Sequence, residues 1–149
     1  MRHWLILFGL FGFFLIGCQQ SGTNDADAEA EARPIDDGRE LYVRYCASCH
    51  GANGEGQFPE SPYFPDASGR VGAPPHDSTG HTWHHPDAVL VRIIQEGRAM
   101  PNVYPMPPLK DQLTEAQIMT ILDYIKTWWL PEQVSQQATV SASYTSSAP

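Results

Sequence analysis

Apolar residues recur at helical spacing in three stretches of this chain, and between them the periodicity lapses. Leu41, Tyr42 and Tyr45 share one face of a first helix, with Asp37 placed as N-cap and Glu40 three residues on, as in a capping box. Leu90, Ile93 and Ile94 make a second stripe. Pro86 suits the first turn of that helix, and Gly97 its C-terminal stop. The third stripe is the clearest: Ile118, Ile121, Leu122, Ile125 and Trp128 or Trp129 lie on one side of a helix. Thr114 and Gln117 form its capping box, and Pro131 is expected to mark its end. No strand of any length and no internal repeat is visible. The pattern predicts an all-α fold of about three main helices joined by irregular loops.

The first helix runs into Tyr45-Cys46-Ala47-Ser48-Cys49-His50-Gly51, which contains C-x-x-C-H. This is the attachment signature of a c-type haem. Three apart on a helical turn, Cys46 and Cys49 project from one face and can bond to the two vinyl groups of one porphyrin. His50 follows at once, carried under the ring as an axial ligand. The same cysteines could instead form a redox dithiol or half a zinc site. Against these, the chain has no second Cys or His knuckle and no βαβ context for a thioredoxin-like motif.

The haem motif changes the reading of the loops. Residues 51–85 carry Pro59, Pro62, Pro65, Pro74 and Pro75 among many Gly and Ser. Such a segment is expected to wrap the porphyrin edge and bury Phe58, Tyr63 and Phe64 against it, with proline limiting the entropy lost on ordering. Residues 98–110 form a second proline-rich connection. Three helices alone would make a thin core, and a covalent haem gives them a large apolar body to pack on. Residues 132–149 are rich in Gln, Ser, Ala and Thr, and read as a disordered tail.

The N-terminus reads as targeting sequence, with Arg2 ahead of an apolar run from Trp4 to Ile16. That run is short for a bilayer span and suits a signal peptide over residues 1–17. It ends Leu15-Ile16-Gly17-Cys18, which resembles a bacterial lipobox and makes Cys18 the expected lipid-attachment residue. Residues 18–33 read as a flexible acidic tether and residues 34–131 as the domain. The cysteine count agrees: of the three, Cys18 takes lipid and Cys46 and Cys49 take haem. No thiol is left over in an oxidising compartment. The formal charge of −8 argues against nucleic acid and against a polybasic membrane contact.

Over residues 34–131 the chain resembles the small monohaem cytochrome c family. Besides the haem motif, Gly38 and Tyr42 look like that family's glycine–aromatic pair, which crosses the last helix against an aromatic, here Tyr124. The run Tyr104-Pro105-Met106-Pro107-Pro108-Leu109 is similar to the Met-Pro loop that gives the family its second axial ligand. The resemblance implies Met106 in that role, with Met100 the alternative, since it too precedes a proline. Met119 lies inside the last helix and is expected to pack. A thioether favours ferrous iron, and flanking prolines stiffen the loop. The resemblance also implies a proline carbonyl as partner to His50, either Pro74 or Pro75, and a possible propionate contact from the Trp83 indole N–H.

His76, His81, His84 and His85 cluster around Trp83. They could bind copper or zinc, supply a distal haem ligand, or simply bond to backbone and propionates. The combined expectation is a one-electron carrier with one covalent haem c. It would be exported and lipid-anchored to a bacterial membrane, facing the periplasm or the exterior. Its partners would be redox proteins, with no small-molecule substrate and no catalytic residue. The alternatives are a haem enzyme or gas sensor with an open distal site, or the electron-transfer subunit of a dehydrogenase complex.

Overall fold

The computed structural model describes residues 37–146. The expected signal peptide, the lipid site at Cys18 and the acidic tether lie outside the described residues. Within them the fold is all-α. In chain order come α1 (Gly38–Tyr45), α2 (Ala47–His50), a 3-10 turn (Thr82–His84), α3 (Asp87–Glu96), α4 (Glu115–Lys126) and α5 (Pro131–Ser146). No strand is formed among the described residues, only the isolated bridges Val71–Val103 and Arg98–Met106.

The three helices predicted from apolar periodicity all form. Asp37 caps α1 by accepting from the Glu40 N–H at 2.9 Å. Thr114 and Gln117 cap α4 reciprocally, the Gln117 N–H donating to Thr114 Oγ1 at 3.2 Å and the Thr114 N–H to Gln117 Oε1 at 3.0 Å. The buried stripe of α4 is Ile118, Ile121, Leu122 and Ile125, as the spacing predicts. It meets Leu41 and Tyr42 of α1 and Leu90, Val91 and Ile94 of α3 in one core.

The crossing of α1 on α4 depends on Gly38. A Cβ there would meet the Thr120 carbonyl oxygen and would stand 3.0 Å from Tyr124 Cβ. Lacking one, the two backbones approach closely, and Tyr42 packs its ring on Tyr124 at 5.8 Å between centroids.

Two expectations fail. The tail is not disordered, because residues 131–146 form α5. Pro131 accordingly does not close the last helix: α4 ends at Lys126, and Pro131 opens α5 in the first-turn position proline favours. Helix α5 buries Gln133 and Gln137. Gln133 Nε2 donates to the Ser78 carbonyl at 2.9 Å, and Gln137 Nε2 to the His85 carbonyl at 3.3 Å and to Asp87 Oδ1 at 2.7 Å. The loop aromatics are the second failure. Tyr63 is 50% exposed and Phe64 70% exposed. Phe58 alone is half-buried, edge-on to Tyr104. Tight turns close residues 58–70 on themselves, as in Ser61 N–H to Phe58 O and Gly69 N–H to Asp66 O, and so carry Tyr63 and Phe64 outward.

Candidate functional site

The helices and loops enclose a cavity of about 350 Å³, within the usual size of ligand pockets, roughly 300–1,000 Å³. Ile93 and Ile94 of α3 and Ile121, Leu122 and Ile125 of α4 give it apolar walls. Cys46, Cys49 and His50 line it from α1–α2, and Met100 and Met106 from the loop before α4.

The C-x-x-C-H segment keeps a helical path through a turn at Cys46. The Cys49 and His50 N–H groups both donate to the Cys46 carbonyl, at 3.1 and 2.9 Å. Both cysteines are free, Cys46 buried and Cys49 exposed. Burial, and then the neighbouring Cys49, pushes the Cys46 thiol up to about 12. No third Cys, His, Asp or Glu side chain stands with them to hold a metal among the described residues, which counts against the zinc reading.

His50 is buried, and its Nδ1–H donates to the Pro74 carbonyl at 2.9 Å. A carbonyl only accepts, so this bond fixes the tautomer and leaves Nε2 with a free lone pair. Burial lowers the His50 pKa, outweighing the Pro74 carbonyl, which raises it. The ring is therefore neutral, the form that ligates a metal. Of the two prolines open on sequence, Pro74 faces His50; Pro75 O faces the Thr82 hydroxyl at 3.5 Å instead.

His76 has a role that sequence reasoning missed. Its ring stacks on His50 at 3.9 Å and 23°. It is held from several sides: Nδ1 lies 3.0 Å from Thr82 Oγ1, and the Trp129 indole N–H donates to the His76 carbonyl at 2.8 Å. Burial first, then His50 and His81, keeps His76 well below the usual histidine range, so two neutral rings stack without charge repulsion. The signal in sequence was a histidine just after the Pro74-Pro75 pair, but chain spacing says nothing about stacking.

The two methionines differ. Met106 is half-buried and packs on the core, whereas Met100 is 46% exposed. Met119 packs against the core and does not line the cavity. Backbone bonds tie the Met106 segment down: the Arg98 N–H donates to the Met106 carbonyl and the Met106 N–H to the Arg98 carbonyl, each at 2.9 Å. This approach requires Gly97, at φ +69°, where a Cβ would lie 2.5 Å from the Met106 carbonyl oxygen. The glycine read as a helix stop is also a seat for the Met-Pro loop.

Trp83 lies apart from the cavity lining, and its indole N–H donates to the Gly80 carbonyl at 3.0 Å. The donor expected for a propionate is thus committed to the chain's own backbone. The four histidines do not converge either. His76 stacks on His50, His84 lies against Trp83, and His81 meets His85 edge-on, 5.6 Å apart between centroids. Among the described residues no group of three or more His, Cys, Asp or Glu side chains is arranged to hold a metal.

The family model for cytochrome c matches residues 35–129. The chain belongs to the cytochrome c family. Such a cytochrome carries covalent haem c and transfers electrons through it, and Cys46 and Cys49 have the attachment spacing. The cavity fits the group: two thiols, a neutral imidazole with a fixed tautomer and apolar walls face one space. No curated protein and no solved structure matches the chain. Helix α5 lies beyond the matched region of the cytochrome. Among the described residues no helix is long and apolar enough to cross a membrane.

Proposed function

We propose that this cytochrome is a membrane-anchored monohaem electron carrier with His50 and Met106 as axial ligands. One observation supports this above the rest: a core-packed methionine, seated by Gly97 and paired to Arg98, shares a cavity with Cys46, Cys49 and His50. When bound, the haem supplies an iron that cycles between Fe(III) and Fe(II). Cys46 and Cys49 would hold the ring covalently. His50, oriented by Pro74, and Met106 would ligate the iron, and Met106 would keep small ligands out. Isoleucines and leucines of α3 and α4 exclude water, which favours the less charged iron centre and so bears on the potential. A single C-x-x-C-H gives one haem per chain. Cys18, behind a signal-peptide pattern, gives the anchor, and the redox partners meet the cytochrome outside the cytoplasm.

Voltammetry of the holoprotein, with carbon monoxide added to the ferrous form, tests the carrier reading. A reversible one-electron wave and no carbon monoxide binding are expected. Ready binding by the unmutated protein would move it to the enzyme or sensor class. For the anchor, Cys18→Ser should shift the cytochrome from the membrane to the soluble fraction; an unchanged distribution would contradict lipidation.

A further inference from the structure

We infer that Asp66 and Tyr104 form a latch that holds the Met106 segment on the cavity, making both of them positioning residues for the axial sulfur. The inference rests on Met106 being the second axial ligand. Tyr104 lines the cavity two residues before Met106. Its hydroxyl donates to Asp66 Oδ2 at 2.8 Å, from one irregular loop to the other.

Asp66 is built to receive that bond. Its other oxygen, Oδ1, accepts from the Ser68 N–H at 2.8 Å, the Ser68 hydroxyl at 2.6 Å and the Arg70 N–H at 3.1 Å. The turn is closed by the Asp66 N–H donating to the Arg70 carbonyl at 2.9 Å. The carboxylate is therefore oriented before Tyr104 arrives, so little freedom is lost when the bond forms. The Tyr104 ring is fixed as well. Phe58 meets it edge-on, and the Arg70 guanidinium sits 5.5 Å above its centroid.

Beside the latch, Val71 and Val103 pair. The Tyr104 N–H donates to the Val71 carbonyl at 3.0 Å, and the Val71 N–H to the Asn102 carbonyl at 2.9 Å. The segment bearing Met106 is thus anchored on both sides, to loop 66–71 before the methionine and to Arg98 at the methionine itself. Prolines at 105, 107 and 108 leave little slack between these points. For the sulfur to leave the iron, the segment must lift, and the hydrogen bond to a charged oxygen opposes the lift.

The test is imidazole titration of the ferric holoprotein, since imidazole competes with the methionine for the iron. Tyr104→Phe keeps the ring packing and removes only the hydroxyl; Asp66→Asn removes the charge. Each should bind imidazole about three- to tenfold more tightly than the parent, the range of one hydrogen bond. The double variant should match Tyr104→Phe, because without the hydroxyl no bond to residue 66 remains to be lost. Tyr63→Phe deletes another loop bond, to the Thr79 carbonyl at 3.3 Å, and should leave the affinity unchanged. Affinities within twofold of the parent for Tyr104→Phe would overturn the latch, even if Asp66→Asn fails to fold. So would an equal gain in Tyr63→Phe, which would signal general loosening. If the parent protein itself lacks the iron–sulfur charge-transfer band, the Met106 reading fails and the latch falls with it.

Discussion

The Pro74 carbonyl selects which nitrogen of His50 is free, and Gly97 selects how near Met106 can come. At both positions one atom, or the lack of one, shapes the site. Gly97→Ala would force a side chain into positive φ and against the Met106 carbonyl. It should cost about 2–4 kcal/mol in chemical denaturation and weaken the iron–sulfur band; a stable variant with an intact band would show that the loop has another seat. Asp66 gives a pH prediction. Ser68 first, then Tyr104 and Arg70, hold its carboxyl well below the usual carboxylate range. A folded pKa below the unfolded one means stability that is present above the unfolded value, about 4, and lost as pH falls through the folded value. The melting-temperature gap between parent and Asp66→Asn should be widest near neutrality and narrow below about pH 4. A gap that stays constant from neutral to acid pH would contradict this account of Asp66. Of the candidate site, Cys46, Cys49 and His50 could be picked out in the sequence because haem attachment demands a fixed local spacing. The choice of Pro74 over Pro75, and the stacking of His76 on His50, depend on how loop 51–85 folds, which no local spacing records.

At the scale of elements, α5 holds the wall of the site through polar groups. Gln133, Gln137 and Ser141 recur four apart on one face. Asp87, at the start of α3, joins three helices: its N–H donates to Ser141 Oγ at 3.0 Å, its Oδ1 accepts from Gln137, and its Oδ2 pairs with Lys126 of α4 at 2.9 Å. Pro86 offers α3 no side-chain cap, and Ser141 supplies one from a neighbouring helix. Gln137→Ala should therefore cost about 1–3 kcal/mol, measured by denaturant titration, whereas the exposed Gln136→Ala should be nearly neutral. Equal effects would reduce α5 to a surface appendage. The contrast with α3 and α4 explains what the sequence concealed. Those helices bury isoleucine and leucine, and apolar periodicity finds them. Helix α5 buries glutamines, so the same test reads it as a tail. Pro131 followed by Gln133 was the available signal, since Gln133 Oε1 reaches back to accept from the Leu130 N–H at 2.9 Å. Tyr63 and Phe64 err the other way, being apolar residues exposed by turns that hydrophobicity does not encode.

Residues 37–146 form a thin set of helices around a cavity. Without a group to fill about 350 Å³, the apolar walls from α3 and α4 face a space that nothing of the chain's own packs into, and a domain this small has little other core to rely on. The Cys46→Ser, Cys49→Ser double variant without haem should lose its near-ultraviolet circular dichroism and unfold without a cooperative transition. A sharp melting transition in that form would show that the helices close on themselves without the group. The central claim, that His50 and Met106 together make a closed electron-transfer centre, has a more direct test in the near-infrared spectrum of the ferric holoprotein beside that of Met106→Ala. The account predicts a weak iron–sulfur charge-transfer band in the parent that disappears in the variant, which then binds exogenous ligands. A band that survives the substitution would place the sulfur at Met100, and a parent without the band would contradict methionine ligation altogether.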